Sequence, residues 1–100
     1  MTLRALRDKV AAGEPFGDIP RPYVLHTDLV WKAFDGSLDA AKALHEALLP
    51  DHEWQVDSGP SATVYRFLDG GPVQFTAEDD NHARAWLLAV LDALIQDAGE

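Results

Sequence analysis

ARAWLLAVLDALI, residues 83–95, is the stretch that decides the fold of this chain. Its apolar side chains recur at i, i+3, i+4, i+7, i+8 and i+11, the spacing of one helix face: Ala83, Trp86, Leu87, Val90, Leu91 and Leu94. Only Arg84 and Asp92 are not apolar, so the sequence predicts a helix that is covered on more than one side. We favour cover by the N-terminal third of the chain. The alternative is a second copy or a partner that contacts the stripe containing Leu88.

A second amphipathic helix and three strands precede this stretch. Ser37 begins the helix SLDAAKALHEALLP as its N-cap, and Pro50 ends it. The pattern predicts a buried face that consists of Leu38, Ala41, Leu44 and Leu48. It predicts an exposed face that consists of Asp39, Lys42 and Glu46. Alternating residues predict strands at EWQV (53–56), ATVYRFL (62–68) and VQFTA (73–77), with turns at 58–61 and 69–72. Trp31, Trp54 and Trp86 are predicted to belong to the core.

The N-terminal third is less regular. It predicts a short helix closed by Gly13, a proline-rich loop over 14–23, and a second short helix that starts at Thr27 or Asp28. The prediction is therefore an α+β fold in a single domain, 1–100. Residues 1–35 form an N-terminal helical and loop extension, and residues 36–98 form an α-β-β-β-α core. Its two long helices lie either on one face of the sheet or on both.

The charge of the chain is distributed unevenly. Its net charge is −9, but residues 1–34 carry five basic and four acidic residues, whereas 35–100 carry three and thirteen. So negative a surface repels phosphate backbones, which disfavours direct binding to nucleic acid or to an anionic membrane. It favours a protein partner, and in particular a basic, nucleic-acid-binding protein.

The composition also bears on the compartment and on the chemistry. There is no cysteine, which removes disulfides and sulfur ligands for zinc. The longest apolar run is too short to cross a bilayer, and the first residues lack the apolar stretch of a secretory signal. We therefore expect a cytoplasmic protein.

One cluster, Glu78-Asp79-Asp80-Asn81-His82, has residue types that bind divalent metals. Asp79, Asp80 and His82 could share a metal on one helix turn, and a small metal-dependent hydrolase is one hypothesis. The simpler interpretation is a helix start, capped by Thr76 or by one of residues 79–81, and Thr76-x-x-Asp79 fits a capping box. We prefer the helix start, since no further ligand is evident. The sequence thus predicts no catalytic, cofactor-binding or metal-binding residue and no cofactor.

Three segments, GSLDAAKALHEALLP (36–50), EWQV (53–56) and ARAWLLAVLDALI (83–95), resemble the phage ABA sandwich domain, a family of small phage and prophage proteins. The chain departs from the family in two places. It has Pro50-Asp51-His52 where the family has Pro-Gly-Trp, and His82 where proline is usual. The resemblance implies a phage origin and carries no known activity, so no functional residue can be transferred.

Two hypotheses follow for a non-enzymatic protein. The first is a phage or prophage accessory protein that binds another protein. The second is an acidic inhibitor of a host nucleic-acid-binding defence protein, of the anti-CRISPR or DNA-mimic type, whose carboxylates imitate phosphates. The candidate acidic residues are Asp35, Asp39, Glu46, Asp51, Glu53, Asp57 and Asp69. Leu88 is the candidate contact for a homodimer through the C-terminal helix.

Overall fold

The computed structural model describes residues 2–56, 61–68 and 70–99. In chain order it contains α1 (Leu3–Ala12), a 3-10 turn (Arg21–His26), α2 (Thr27–Phe34), α3 (Leu38–Leu48), β1 (Glu53–Val56), β2 (Ser61–Leu68), β3 (Gly71–Glu78) and α4 (His82–Ala98). The strands form one antiparallel sheet in the order β1-β2-β3. The predicted α+β class and the helix-sheet-helix order of the core are confirmed. Positions 57–60 and 69, which include three residues of the first predicted turn and one of the second, lie outside the described residues. Gly71 and Pro72, which were predicted as part of the second turn, belong to β3.

Helix α4 lies at the centre of the molecule. One side packs against β2 and β3, and α1, α2 and α3 pack against the rest of its circumference. Leu88 is only 2 % exposed, so it belongs to the core and is not an exposed interaction residue, which corrects that candidate. Cover by the N-terminal third is confirmed, because α1 and α2 supply it. No helix among residues 2–56, 61–68 and 70–99 is long and apolar enough to span a membrane.

The helices lie on one face of the sheet. The strand register places Trp54, Val64 and Phe75 side by side on the face that meets α4. On the opposite face Glu53 is exposed, and Phe67 is 71 % exposed. Of the two arrangements left open by the sequence, the structure therefore has both long helices on the same side.

Arg84 and Asp92 of α4 have partners in the N-terminal third. Arg7 Nε donates to Asp92 Oδ1 at 2.9 Å. Arg84 donates from Nε and Nη2 to the carbonyl oxygen of Phe34, at 3.1 and 2.8 Å, and its guanidinium lies 4.2 Å from the Phe34 ring centre. A polar group in a buried helix is tolerated when it is paired, and these contacts also fix α1 and α2 on α4.

Two predictions for buried positions are wrong, those for Leu38 and Trp54. Leu38 is 45 % exposed and His45 is 1 % exposed, so the buried face of α3 is rotated towards His45. The reason is that α3 packs on α2 and α4 but stands apart from β1, which leaves its first turn open on that side. Trp54 is also 38 % exposed, at the margin of the core, whereas Trp86 is buried as predicted.

Helix starts follow the predicted chemistry in α3 and α4. Ser37 Oγ accepts from the Ala40 amide, and Asn81 Oδ1 accepts from the Arg84 amide, both at 3.1 Å. Neither Thr27 nor Asp28 caps α2. That helix continues directly from the 3-10 turn, whose Val24 carbonyl oxygen already accepts from the Thr27 amide and hydroxyl.

Candidate functional site

The acidic segment before α4 is a helix start. Asn81 is the N-cap, and Asp79 Oδ1 accepts from the Asn81 amide at 2.9 Å. Thr76 lies within β3 and its hydroxyl is paired with that of Thr63 at 3.0 Å, so the predicted capping box is wrong. In the part of the chain that the structure describes, no three His, Asp or Glu side chains are grouped so that they could hold a metal ion.

A groove of about 350 Å³ lies between α3 and β1. Six residues line this α3–β1 groove: Leu38, Asp39, Lys42, Trp54, Val56 and Trp86. Leu38 and Trp54 expose large apolar areas in it, while Trp86 is 4 % exposed and stacks on Trp54 with ring centres 5.4 Å apart. Lys42 Nζ lies 5.9 Å from the centre of the Trp54 ring. The groove is thus an aromatic and aliphatic surface with one cation beside it.

Carboxylates are frequent on α3, on β1 and on the segments that adjoin them. Over residues 35–56, Lys42 is the only lysine or arginine, and all five acids are exposed: Asp35, Asp39, Glu46, Asp51 and Glu53. We call these acids together with the groove the α3–β1 face. The structure therefore brings five of the predicted acids to α3, β1 and the segments that adjoin them. Asp57 and Asp69 lie outside the described residues.

Glu53 has a partner on the open face of the sheet. It lies opposite Tyr65 in the register of β1 and β2. The Tyr65 hydroxyl donates to Glu53, and this hydrogen bond raises the pKa of Tyr65 above its ordinary value. The contact holds the Glu53 carboxylate over the open face of the sheet, while the groove lies on the other face.

A buried histidine forms the support beneath Trp54. His45 Nε2 donates to the His52 carbonyl oxygen at 2.9 Å, and His45 Nδ1 accepts from Trp86 Nε1 at 3.3 Å. Only the neutral ring with its proton on Nε2 satisfies both bonds. The His45 ring also packs edge-on against Trp54, with centres 5.0 Å apart. His45 therefore connects α3, α4 and the entry to β1, and so fixes the wall of the groove.

Burial lowers the pKa of both His45 and His52. For His45, loss of solvation outweighs the hydrogen bond to the His52 carbonyl and the nearby charge of Glu46. For His52, loss of solvation lowers the pKa most, and repulsion from Arg66 lowers it further. Attraction by Asp97 and Asp51 raises it, but by less. His52 Nδ1 is buried and has no hydrogen-bond partner among the described residues.

Stability should therefore depend on pH. The unfolded histidines bind protons near pH 6.5, whereas folded His45 and His52 resist protonation, so the free energy of unfolding should fall as pH drops below 6.5. The fall is at most about 1.4 kcal/mol per pH unit for each histidine, and it ends at the lowered pKa values. Urea unfolding at a series of pH values measures this dependence. His45→Phe should make it less steep, and an identical slope in that variant would contradict the assignment.

The α3–β1 face combines an edge strand of the described sheet, a tryptophan that is 38 % exposed and five exposed carboxylates. Exposed aromatic anchors within a polar rim are typical of surfaces that bind other proteins. The sequence indicated the carboxylates, but not the groove or the histidine support. Comparison of the chain with protein-family models, curated proteins and solved structures found no match.

Proposed function

We propose that this chain is a non-enzymatic accessory protein of a phage or prophage that acts in the host cytoplasm by binding another protein. The phage origin rests on the resemblance of residues 36–50, 53–56 and 83–95 to the phage ABA sandwich domain. The observation that carries the binding role is the α3–β1 face, where Trp54 and Leu38 are exposed in a region that also carries five exposed acids. Most of the energy of a protein interface comes from a few such anchors.

The charge of this face selects a basic partner. Five carboxylates and one lysine over residues 35–56 give the face a net charge of −4. Complementary charge accelerates association and rejects partners of the same sign. Nucleic acids and anionic membranes are repelled by such a surface, whereas a basic protein is attracted.

Charge reversal on the face tests this function. Asp39→Lys with Glu46→Lys changes two exposed acids of α3, and Glu14→Lys with Asp18→Lys changes two exposed acids outside the face by the same amount. Each variant is immobilised and incubated with nuclease-treated host lysate. We expect wild type and the Glu14/Asp18 variant to retain the same basic protein and the Asp39/Glu46 variant to lose it. Equal retention by all three would contradict the proposal.

The exposed acids also favour the second candidate, an acidic inhibitor that occupies the nucleic-acid groove of a host defence protein. A mimic of this kind depends mainly on charge, so its binding should collapse when salt rises from about 0.1 M to 1 M, as the screening length falls from ~10 Å to ~3 Å. A partner anchored by Trp54 and Leu38 should lose affinity only in part. Washing the captured protein at both salt concentrations separates the two functions.

A further inference from the structure

We infer that the α3–β1 groove binds an extended segment of a basic partner, which adds to the sheet as a fourth strand beside β1. The inference rests on the proposed function and specifies the form of the partner. Three features of the described residues carry it: the position of β1 at the edge of the sheet, an apolar groove on one side of that strand, and the sign of the surrounding charge.

The first feature is the position of β1. Within residues 2–56, 61–68 and 70–99, β1 pairs only with β2, so it is an edge strand. An edge strand presents main-chain groups that can pair with a further strand, and natural proteins usually protect such edges. The opposite edge, β3, contains Pro72, which cannot donate to a ladder at that position. β1, Glu53–Val56, contains no proline.

The second feature is the relation between the groove and the pleat. Trp54 and Val56 point to the helix side of the sheet and line the groove together with Leu38. In an added strand, alternate side chains would point to the same side and enter the groove. The volume of about 350 Å³ lies at the lower end of the range of ~300–1,000 Å³ for ligand pockets, which suits one or two apolar side chains.

The third feature decides the occupant. Side chains between the apolar positions would point to the open face, where Glu53 lies, while Asp39 and Lys42 line the groove on the α3 side. Lysine or arginine at these alternate positions meets the Glu53 carboxylate, in a region whose net charge over residues 35–56 is −4. A second copy of this chain would instead bring an equally negative region against the first, and charge repulsion opposes that association. The ligand is therefore a segment in which basic and apolar residues alternate.

The test uses a fluorescein-labelled Lys-Val-Lys-Val-Lys-Val-Lys peptide and the full chain, with binding followed by anisotropy. Leu38→Glu places a charge in the groove, and Leu25→Glu makes the same change at a residue that is 91 % exposed and does not line the groove. We expect the Leu38 variant to bind at least about tenfold more weakly than wild type and the Leu25 variant to bind equally. Equal loss in both variants, or binding of a Glu-Val peptide as tight as that of the Lys-Val peptide, overturns the inference.

Two N-methylated forms of the peptide test strand addition itself. Methylating the lysine amides or the valine amides blocks alternate main-chain donors, and only one set faces β1 in a ladder. One form should bind at least about tenfold more weakly than the other, and equal binding of the two overturns the added strand.

If no peptide binds wild type although capture of a basic protein depends on Asp39 and Glu46, the groove inference fails and the proposed function stands. If the peptide binds in a Leu38-dependent way but no protein is captured, the inference stands and the proposed function fails.

Discussion

Replacing Trp86 with alanine should lower the free energy of unfolding by about 3–5 kcal/mol, a large share of the ~5–15 kcal/mol of a typical domain. Trp86 is 4 % exposed at the centre of the molecule, stacks on Trp54, and donates its indole N–H to His45. Alanine leaves a cavity and removes that donor from a buried acceptor. Guanidinium unfolding followed by far-ultraviolet circular dichroism measures the loss.

Two further variants separate the parts of this effect. Trp86→Phe retains much of the packing but leaves His45 Nδ1 without a donor, so it should cost about 1–3 kcal/mol. Phe67→Ala removes an aromatic ring that is 71 % exposed on the open face of the sheet, and it should change stability by no more than about 0.5 kcal/mol. A loss below about 1 kcal/mol for Trp86→Ala would contradict the central place of this residue.

His45→Phe should cost about 2–5 kcal/mol, because it leaves two buried groups unsatisfied at about 1–3 kcal/mol each. These groups are the Trp86 indole N–H and the His52 carbonyl oxygen, which His45 contacts at 3.3 and 2.9 Å. The same unfolding experiment measures the change. Since the His45 ring also packs against Trp54, the variant should in addition alter the fluorescence of the folded protein.

His52→Phe is the matched control for this variant. His52 is 7 % exposed, and its Nδ1 atom is buried with no hydrogen-bond partner among the described residues. Its backbone carbonyl oxygen, which accepts the hydrogen bond from His45 Nε2, is unchanged by the substitution. Stability should therefore be unchanged or higher, because removing an unsatisfied buried polar atom removes its desolvation cost. If both histidine variants lose the same stability, the His45 hydrogen bonds do not have the role assigned to them.

The order of elements could be predicted because each has a strong local signal. The spacing in residues 83–95 indicated both the helix and its cover on several sides, and α1 and α2 supply that cover. Ser37 indicated the start of α3, because its hydroxyl accepts a hydrogen bond from an amide of the first turn. This contact is local and does not depend on what the helix packs against. The Thr27 cap was wrong, because the 3-10 turn runs directly into α2 and the Thr27 hydroxyl donates to the Val24 carbonyl oxygen, and no local pattern indicated that turn.

The candidate site could be predicted only in part. Asp39 and Glu46 were correctly expected on the exposed face of α3, since charged residues at helical spacing are seldom buried. The exposure of Leu38 and the burial of His45 could not be predicted, because a rotation of α3 by one position changes both. That rotation depends on contacts with α2 and α4, which lie far away in the sequence.

The most direct test of the account is the nuclear magnetic resonance signal of the three indole N–H groups during titration with the Lys-Val peptide. Trp54 lines the α3–β1 groove and is 38 % exposed, whereas Trp31 stacks on Phe16 outside it, with ring centres 4.0 Å apart. The account predicts that the Trp54 signal shifts progressively, that the Trp31 signal stays in place, and that Leu38→Glu abolishes the shift. A shift of Trp31 with Trp54 unchanged, or no shift in any of the three, would contradict it.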